Sequence, residues 1–369
     1  MKQTRVAIVG AGGQIGPHLL RHLPETDGIE AVGICRNDIT AGPLRYRGLN
    51  VRCGSLSLNA RELIGDCDVV VNCASASATP GVARKEDRAV LDALFSTDSD
   101  AAIIHVSSVA VYGSSIVRGR STFERPNADS DYAASKLFLE RYARKRALES
   151  KHALTIVRLG HVYGAEQWLS RYILDNSHRE GWGLAADGAS LSNAIHVRNV
   201  AAALRRLILR PEPGSTFNLF DYPQSTWRQV SNWNTEAAEM PQARNLDRDR
   251  SDLESRYYRD IATAGLPLRI AREVSRWTRS APASLLVACP SLKVVAARVL
   301  ARMQSESLDR RALKFMGGTR SWTPGMAPML TGFMVSDEAP GIALDFNPER
   351  SFKDAEAVRV WYKSYSQPG

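Results

Sequence analysis

The segment Tyr132-Ala-Ala-Ser-Lys136 places a phenol and an ammonium four residues apart, and Ser108 precedes them along the chain. Residues i and i+4 share one face of a helix, so Lys136 is expected beside Tyr132. A free phenol has a pKa near 10, and lowering that pKa to about 7 requires roughly 4 kcal/mol of phenolate stabilisation, which a nearby ammonium helps to supply. The pair therefore has the chemistry to move a proton to or from the oxygen of a ketone or secondary alcohol.

Ser108 follows an apolar stretch, Ile103–Val106, that ends in the hydroxyls of Ser107 and Ser108. In doubly wound sheets the carboxyl ends of the strands face the ligand crevice. Ser108 is therefore expected to hydrogen-bond the substrate oxygen and to stabilise charge that develops on it. The alternative is that both serines only cap the end of a strand. Tyr-x-x-x-Lys pairs also occur by chance, so the hypothesis depends on the motifs that precede this pair in the chain.

A glycine-rich turn, Gly10-Ala-Gly-Gly13-Gln14-Ile15-Gly16, follows the apolar run Val6–Val9 and precedes a helical pattern. Gly10 permits a tight turn, Gly13 lets the backbone approach a pyrophosphate, and Gly16 allows a helix to pack closely on a strand. The order strand, glycine turn, helix predicts a dinucleotide-binding site. A plain glycine turn is the alternative.

The cofactor preference depends on the residues at the end of the second predicted strand. An NAD site usually has an acid there for the ribose 2′-hydroxyl, whereas this chain has Cys35-Arg36-Asn37. The planar fork of Arg36 suits a 2′-phosphate, so the sequence favours NADP(H), with NAD(H) remaining possible. In the alternative interpretation Arg36 is a solvated arginine beside an NAD site.

Short apolar runs alternate with helix-length segments through the first half of the chain, which predicts an α/β fold with a Rossmann-type doubly wound parallel sheet. Two later segments are expected to return to the edge of this sheet. Residues 1–165 and 194–221 are assigned to the dinucleotide-binding domain, and 166–193 and 222–369 to a smaller mixed α/β substrate-binding cap. The predicted strands are Arg5–Val9, Ala31–Cys35, Val69–Asn72, Ala102–Ser107, Leu154–Leu159, Ala194–Val197 and Thr216–Phe220.

Composition excludes several classes of protein. The 369 residues are 44% hydrophobic and bury a full core. Five cysteines without metal-type spacing favour reduced thiols, no metal site and a cytoplasmic location. The beginning of the chain lacks the pattern of a signal peptide, so export is not expected. The net charge of +9 comes without any nucleic-acid-binding motif, so nucleic acid is not expected as a partner.

The basic charge concentrates between Gly265 and Met303, which contains seven arginines and lysines and one acid. Within it, Ala283–Met303 is apolar but is interrupted by Pro290 and by cationic residues, so no transmembrane helix is predicted. An amphipathic helix packed on the cap is the simpler interpretation. The alternative is a helix that makes peripheral contact with an anionic membrane or a lipid-linked substrate.

From Val6 to Phe220 the chain resembles the extended short-chain dehydrogenases/reductases, a family of NAD(P)-dependent sugar epimerases, dehydratases and ketoreductases. The resemblance implies that Ser108, Tyr132 and Lys136 are the catalytic residues and that family members often form homodimers. It also implies which residues contact the cofactor and, in the later motifs, the substrate. The expected cofactor contacts are Gly10, Gly13, Gln14, Ile15, Gly16, Arg36, Ser55, Leu56, Ala74, Ser75, Tyr132, Lys136 and His161. The expected substrate contacts are Ser108, Tyr163, Asn193 and His196.

Several residues depart from the family pattern. Ser55 replaces an aspartate at the adenine contact, His161 stands where many relatives have asparagine, and Arg198 occupies a position usually held by an acid. Packed structural roles are the alternative for His161 and His196. The segment after Ser108 lacks the Asp-Glu pair of a sugar dehydratase.

The expected activity is therefore NADP(H)-dependent reduction of a ketone, or oxidation of a secondary alcohol, on a small molecule such as a nucleotide-linked or lipid-linked sugar. A redox-neutral nucleotide-sugar epimerase with tightly bound NAD(P) is one alternative. A non-catalytic NADP-binding regulatory protein is the other.

Overall fold

The computed structural model describes residues 3–246, apart from 26–27, 76–79, 98, 113–125, 127–130, 178–182, 186–187, 190, 222–223 and 243. The basic segment 265–303 and most of the predicted cap over 222–369 lie outside the described residues.

Strands and helices alternate along the described chain, as the sequence predicts. The strands are β1 (Thr4–Val9), β2 (Ile29–Cys35), β3 (Val51–Cys53), β4 (Val69–Asn72), β5 (Ala102–Ser108), β6 (Leu154–Leu159), β7 (His161–Tyr163), β8 (Gly183–Ala185), β9 (Ala194–His196), β10 (Thr216–Leu219) and β11 (Arg244–Leu246). The helices are α1 (Gly16–His22), α2 (Asp38–Tyr46), α3 (Leu56–Ile64), α4 (Pro80–Leu94), α5 (Asp131–Ser150), α6 (Trp168–Ser177), α7 (Val197–Leu209) and α8 (Trp227–Ala237).

Seven parallel strands form the main sheet in the order β10-β6-β5-β4-β1-β2-β3. From β1 the chain first builds outward through β2 and β3, then crosses to β4 on the opposite side of β1. The strand order therefore reverses between β1 and β4. In open α/β sheets such a reversal opens a crevice at the carboxyl ends of the strands, where ligands bind.

The sheet is buried on both faces because successive side chains of a strand point to opposite sides. In β1, Val6 and Ile8 pack into the cluster that includes α1 and α7, whereas Ala7 and Val9 pack into the cluster that includes α3, α4 and α5. Layers of helices on both faces confirm the predicted Rossmann-type doubly wound fold.

One strand prediction is wrong. Thr216–Leu219 joins the edge of the main sheet beside β6, but Ala194–His196 does not. It pairs instead with His161–Tyr163 in a separate two-stranded parallel sheet. The chain leaves β6 at Gly160, whose N–H donates to the Leu219 carbonyl at 2.9 Å, and the next N–H, of His161, donates to the Asn193 carbonyl at 3.0 Å.

The helices of the described residues include none that is both long enough and apolar enough to cross a membrane.

Gly160 is predicted to be required where the chain leaves β6 and begins to pair with Ala194–His196. A Cβ on Gly160 would lie 2.0 Å from the Asn193 carbonyl oxygen, so the backbones must separate in Gly160→Ala. We expect a loss of about 1–3 kcal/mol or more in the free energy of unfolding, measured by urea titration. Gly42→Ala is the matched control, because a Cβ on Gly42 in α2 meets no atom within 4 Å. Equal stabilities of the two variants would contradict the prediction.

Candidate active site

A cavity of about 650 Å³ opens at the carboxyl ends of β1, β2 and β4. Seven residues expected to contact a cofactor line it: Gly10, Gly13, Arg36, Ser55, Leu56, Ala74 and Ser75. Its wall also contains residues that the sequence analysis did not select, among them Gly12, Cys35, Thr40, Ser57, Cys73, Glu86 and Asp87.

The glycine turn brings two stretches of backbone into contact at the strand-order reversal. Gly10 has a φ of +79°, and a Cβ there would lie 2.7 Å from the backbone of Ala74. At Gly16, a Cβ would lie 2.4 Å from the carbonyl oxygen of Ala11, so only glycine lets the first residue of α1 pack this closely on the turn that follows β1. Side chains on the turn would fill the space that a pyrophosphate needs. The cavity and its glycine floor therefore fit the adenosine-diphosphate half of a dinucleotide.

Two of the residues that line this cavity form an ion pair. Arg36 Nη1 lies 3.3 Å from Glu86 Oε2, and the side chains are 75% and 46% exposed. Glu86 belongs to α4 and is 50 residues away in sequence, so no local pattern could have linked it to Arg36. On the cavity wall, the hydroxyls of Ser55 and Ser57 lie 2.9 Å apart.

The three predicted catalytic residues lie on adjoining elements. Tyr132 is in the first turn of α5 and is 55% exposed, whereas Lys136 is buried and places its Nζ 5.9 Å from the centroid of the Tyr132 ring. Ser108 ends β5, and its Oγ accepts a hydrogen bond from the N–H of Ala110 at 3.2 Å. Helix α5 packs against β5 and against the 3₁₀ turn Val109–Tyr112 that follows it.

A buried ion pair ties α5 to the sheet. Arg158, on β6, donates from Nε to Glu140 Oε1 at 2.9 Å and from Nη2 to Oε2 at 2.7 Å. Both side chains are at most 5% exposed. Ser107 donates to the same carboxylate at 2.6 Å. Because Glu140 follows Lys136 by four residues and Tyr132 by eight, helical periodicity could have indicated that it shares their face.

The network continues away from α5. Arg158 Nη1 donates to the Tyr112 hydroxyl at 2.6 Å, and that hydroxyl donates to Asn218 Oδ1 on β10 at 3.0 Å. Burial raises the pKa of the Tyr112 phenol, which keeps its proton available for this bond. Side chains from α5, β5, β6 and β10 thus share one chain of hydrogen bonds.

A second polar cluster lies close enough to Lys136 to be affected by its charge. Asn72 Oδ1 accepts from the Ala74 N–H at 3.1 Å, so the Asn72 amide nitrogen, 3.2 Å from His105 Nδ1, must be the donor to it. His105 therefore carries its proton on Nε2. Burial and the Lys136 charge lower its pKa to about 3. Burial raises the pKa of the nearby Cys73 thiol to about 12, which leaves it a weak nucleophile.

The predicted substrate contacts Tyr163, Asn193 and His196 are all buried. The Tyr163 hydroxyl donates to Asp221 Oδ2 at 2.7 Å, and the His196 N–H and the Asn199 amide donate to the same carboxylate. Burial raises the pKa of Asp221 to about 6 despite these bonds. No sequence signal marked Asp221.

His161, the first residue of β7, packs against α8. Its ring is 5.3 Å from that of Trp227, and burial lowers its pKa to about 4. No group of three or more His, Cys, Asp or Glu side chains within the described part of the chain is placed to hold a metal ion.

The sequence profile of the NAD-dependent epimerase/dehydratase family matches residues 6–219, which is more than half of the chain and spans the main sheet and the cavity. The chain belongs to this family. It is accordingly an NAD(P)-dependent enzyme of the extended short-chain dehydrogenase/reductase type, which confirms the resemblance carried by the sequence motifs. No curated protein matches the sequence significantly.

Solved structures similar to this epimerase/dehydratase-family protein share its fold. A UDP-glucuronic acid 4-epimerase from Bacillus cereus in complex with NAD is 20% identical, with a TM-score of 0.56, over 66% of this chain and 86% of its own. A UDP-glucose 4-epimerase from Thermotoga maritima with UDP-glucose is 18% identical, with a TM-score of 0.54, over 68% and 87%. A dTDP-glucose 4,6-dehydratase from Bacillus anthracis in complex with NAD is 18% identical, with a TM-score of 0.54, over 66% and 84%.

Glu140 is predicted to be the most sensitive single position of the network. Glu140→Gln leaves the Arg158 charge buried without its partner, so we expect a loss of about 3–5 kcal/mol in the free energy of unfolding. Replacing both residues, Glu140→Leu with Arg158→Met, removes the charges together and should cost less than the two single changes combined. Urea titration of the wild type, Glu140→Leu, Arg158→Met and the double variant measures the coupling between the two residues, and additive losses would contradict it.

Buried neutral histidines are predicted to make the protein acid-sensitive. Burial lowers the pKa of His105 and of His196 to about 3, so below about pH 6.5 the unfolded chain binds protons that the folded chain does not. Their stabilising contribution is therefore lost as pH falls. Asp221, with its raised pKa, acts in the opposite direction: its contribution is complete below about pH 4 and is lost as pH rises through about 6.

The opposite pH effects of the buried histidines and of Asp221 can be separated by substitution. Between pH 6 and 4, Asp221→Asn should steepen the loss of unfolding free energy on acidification by up to about 1.4 kcal/mol per pH unit. His105→Gln, which keeps an acceptor for Asn72, should make the loss shallower. Urea titrations across this range test both, and parallel pH profiles for all three proteins would refute the assignment.

Proposed function

We propose that this family member is an NADP(H)-dependent reductase that converts a ketone on a nucleotide-linked or lipid-linked sugar into a secondary alcohol. The observation that carries the proposal is Arg36. It directly follows β2 and lines the cavity beside the glycine turn, and β2 itself ends in Cys35 rather than in an acid. A guanidinium at this place matches a 2′-phosphate. NADPH is the usual reductant of biosynthesis, which favours reduction over oxidation.

The bound nicotinamide would supply the hydride. The backbone of Gly10, Gly13, Gln14, Ile15 and Gly16 would hold the pyrophosphate, and residues of the cavity wall would hold the adenosine. That wall includes Ser55, Leu56, Ala74 and Ser75. His161, Tyr132 and Lys136 would complete the cofactor contacts.

The chain's own side chains would handle the proton. Tyr132 is exposed enough to reach a substrate, and it would donate its phenolic proton to the carbonyl oxygen as charge develops there. The buried ammonium of Lys136 would stabilise the resulting phenolate. Ser108 would hydrogen-bond the same oxygen and orient it. The Glu140–Arg158 pair would hold α5 in place, so that these groups do not have to be ordered at the moment of reaction.

A separate substrate-binding unit is part of the proposal, formed by residues 166–193 and 222–369, beside the dinucleotide-binding residues 1–165 and 194–221. Two contacts support the division: β8 pairs with β11, and α6 packs against α8. Both join the first segment of the proposed unit to the second. The bound UDP-glucose of one structural relative supports a nucleotide-linked sugar as substrate.

A redox-neutral epimerase is the second candidate. Two of the three solved structures described above are 4-epimerases, and one of these two contains NAD. We also propose a cytoplasmic homodimer. Free thiols at Cys35, Cys53, Cys67 and Cys73 support the reducing location.

Deuterium transfer tests the reductase. With NADPH labelled at the transferred position and UDP- or dTDP-linked 4-keto-hexoses as probes, the label should appear in the alcohol product, detected by mass spectrometry. Conversion of UDP-linked hexoses to their C4 epimers, with no label incorporated, would support the epimerase and contradict the reductase. Absence of both activities toward these probes, with NADPH still bound, would contradict both the reductase and the epimerase.

Tyr132→Phe is predicted to lower the rate of reduction by about 10²- to 10⁴-fold, because general acid catalysis is lost, while NADPH stays bound. Tyr46→Phe is the matched control, since Tyr46 is 93% exposed on α2, away from the catalytic helix. Stopped-flow loss of NADPH absorbance measures the rate. A Tyr132→Phe enzyme as fast as the control would refute the role of the phenol.

A further inference from the structure

The Arg36–Glu86 pair places side by side two groups that favour different cofactors. A carboxylate at the adenosine ribose accepts a hydrogen bond from the 2′-hydroxyl of NAD(H), and a guanidinium there binds the 2′-phosphate of NADP(H). The end of β2, where such an acid usually stands, supplies none. Asp38, two residues beyond Arg36, is bound to Arg45 Nη1 at 2.8 Å. Glu86 of α4 instead brings a carboxylate to the cavity wall, 3.3 Å from Arg36.

We propose that this pair makes the site accept both cofactors: Glu86 receives the 2′-hydroxyl of NAD(H), and Arg36, released from Glu86, binds the 2′-phosphate of NADP(H). The inference rests on the proposed function and refines its cofactor preference. It assigns to Glu86 the role of the acid that is missing after β2.

The exposure of the pair makes the exchange inexpensive. Exposed ion pairs contribute little to stability, so separating Arg36 from Glu86 costs little. A 2′-phosphate carries nearly two negative charges and the Glu86 carboxylate carries one, so the guanidinium is attracted more strongly to the phosphate and NADP(H) can displace Glu86 from Arg36. The displaced carboxylate stays on α4 close to the phosphate and repels it, which limits the preference for NADP(H). Removing the charge of Glu86 should therefore change the two affinities in opposite directions.

Binding of NADPH and NADH to the full-length protein tests the proposal without a substrate. The fluorescence of the bound dihydronicotinamide gives both dissociation constants at low salt. The wild type should bind NADPH no more than about 30-fold more tightly than NADH, because Glu86 opposes the phosphate. Glu86→Gln should widen this ratio by about 10-fold or more, by strengthening NADPH binding and weakening NADH binding. Arg36→Gln should narrow or reverse the ratio by about 10-fold or more.

Glu149→Gln and Arg206→Gln are the controls, since both are exposed and lie away from the cavity on α5 and α7. Glu86→Ala is a second variant, and thermal melting establishes that each protein is folded. A ratio that stays within twofold of the wild type in both folded Glu86 variants overturns the inference, while the reductase proposal survives if NADPH still binds. If the wild type binds neither nucleotide, the proposed function itself fails.

Discussion

The contact on which the candidate active site most depends is the buried pair of Glu140 and Arg158. Both charges are removed from water, and each is satisfied only because the other, together with Ser107 and Tyr112, is within hydrogen-bonding distance. Such a pair adds little net stability over an apolar contact, but it is strongly directional. It fixes the rotation of α5 against β5 and β6. The helix that bears Tyr132 and Lys136 therefore has one orientation on the sheet.

Close contacts also set the geometry along the carboxyl edge of the sheet. Parallel pairing brings the end of β1 next to the ends of β2 and β4, so the glycine turn, Arg36 and Ala74 surround one cavity. Close approach of backbones at Gly10 and Gly160 sets where the chain turns back and where it leaves the sheet. The burial that stabilises these turns also keeps His105 and His196 neutral, which links the packing of the site to the acid sensitivity of the fold.

Much of this could be predicted from local pattern. The alternation of apolar runs and helical segments was sufficient for the parallel sheet, and strand, glycine turn and helix were sufficient for the position of the cavity. The pairing of Ala194–His196 was predicted incorrectly, because the sequence of a short apolar run does not indicate which strand it pairs with. Glu86 and Asp221 were missed because their roles come from elements distant in sequence: α4 reaches Arg36 across 50 residues, and Asp221 follows β10 but binds groups on β7 and α7.

The amino-acid sequence by itself determined the family, the doubly wound fold and the residue types of the site, because glycine turns, helical spacing and strand periodicity are local properties of the chain. Only the tertiary structure decided that Glu140 pairs with Arg158, that Glu86 faces Arg36 and that Tyr163 is bound to Asp221. Charges and hydrogen-bonding groups act over a few ångströms in space, and the folded sheet, rather than the order of residues, sets which of them are neighbours.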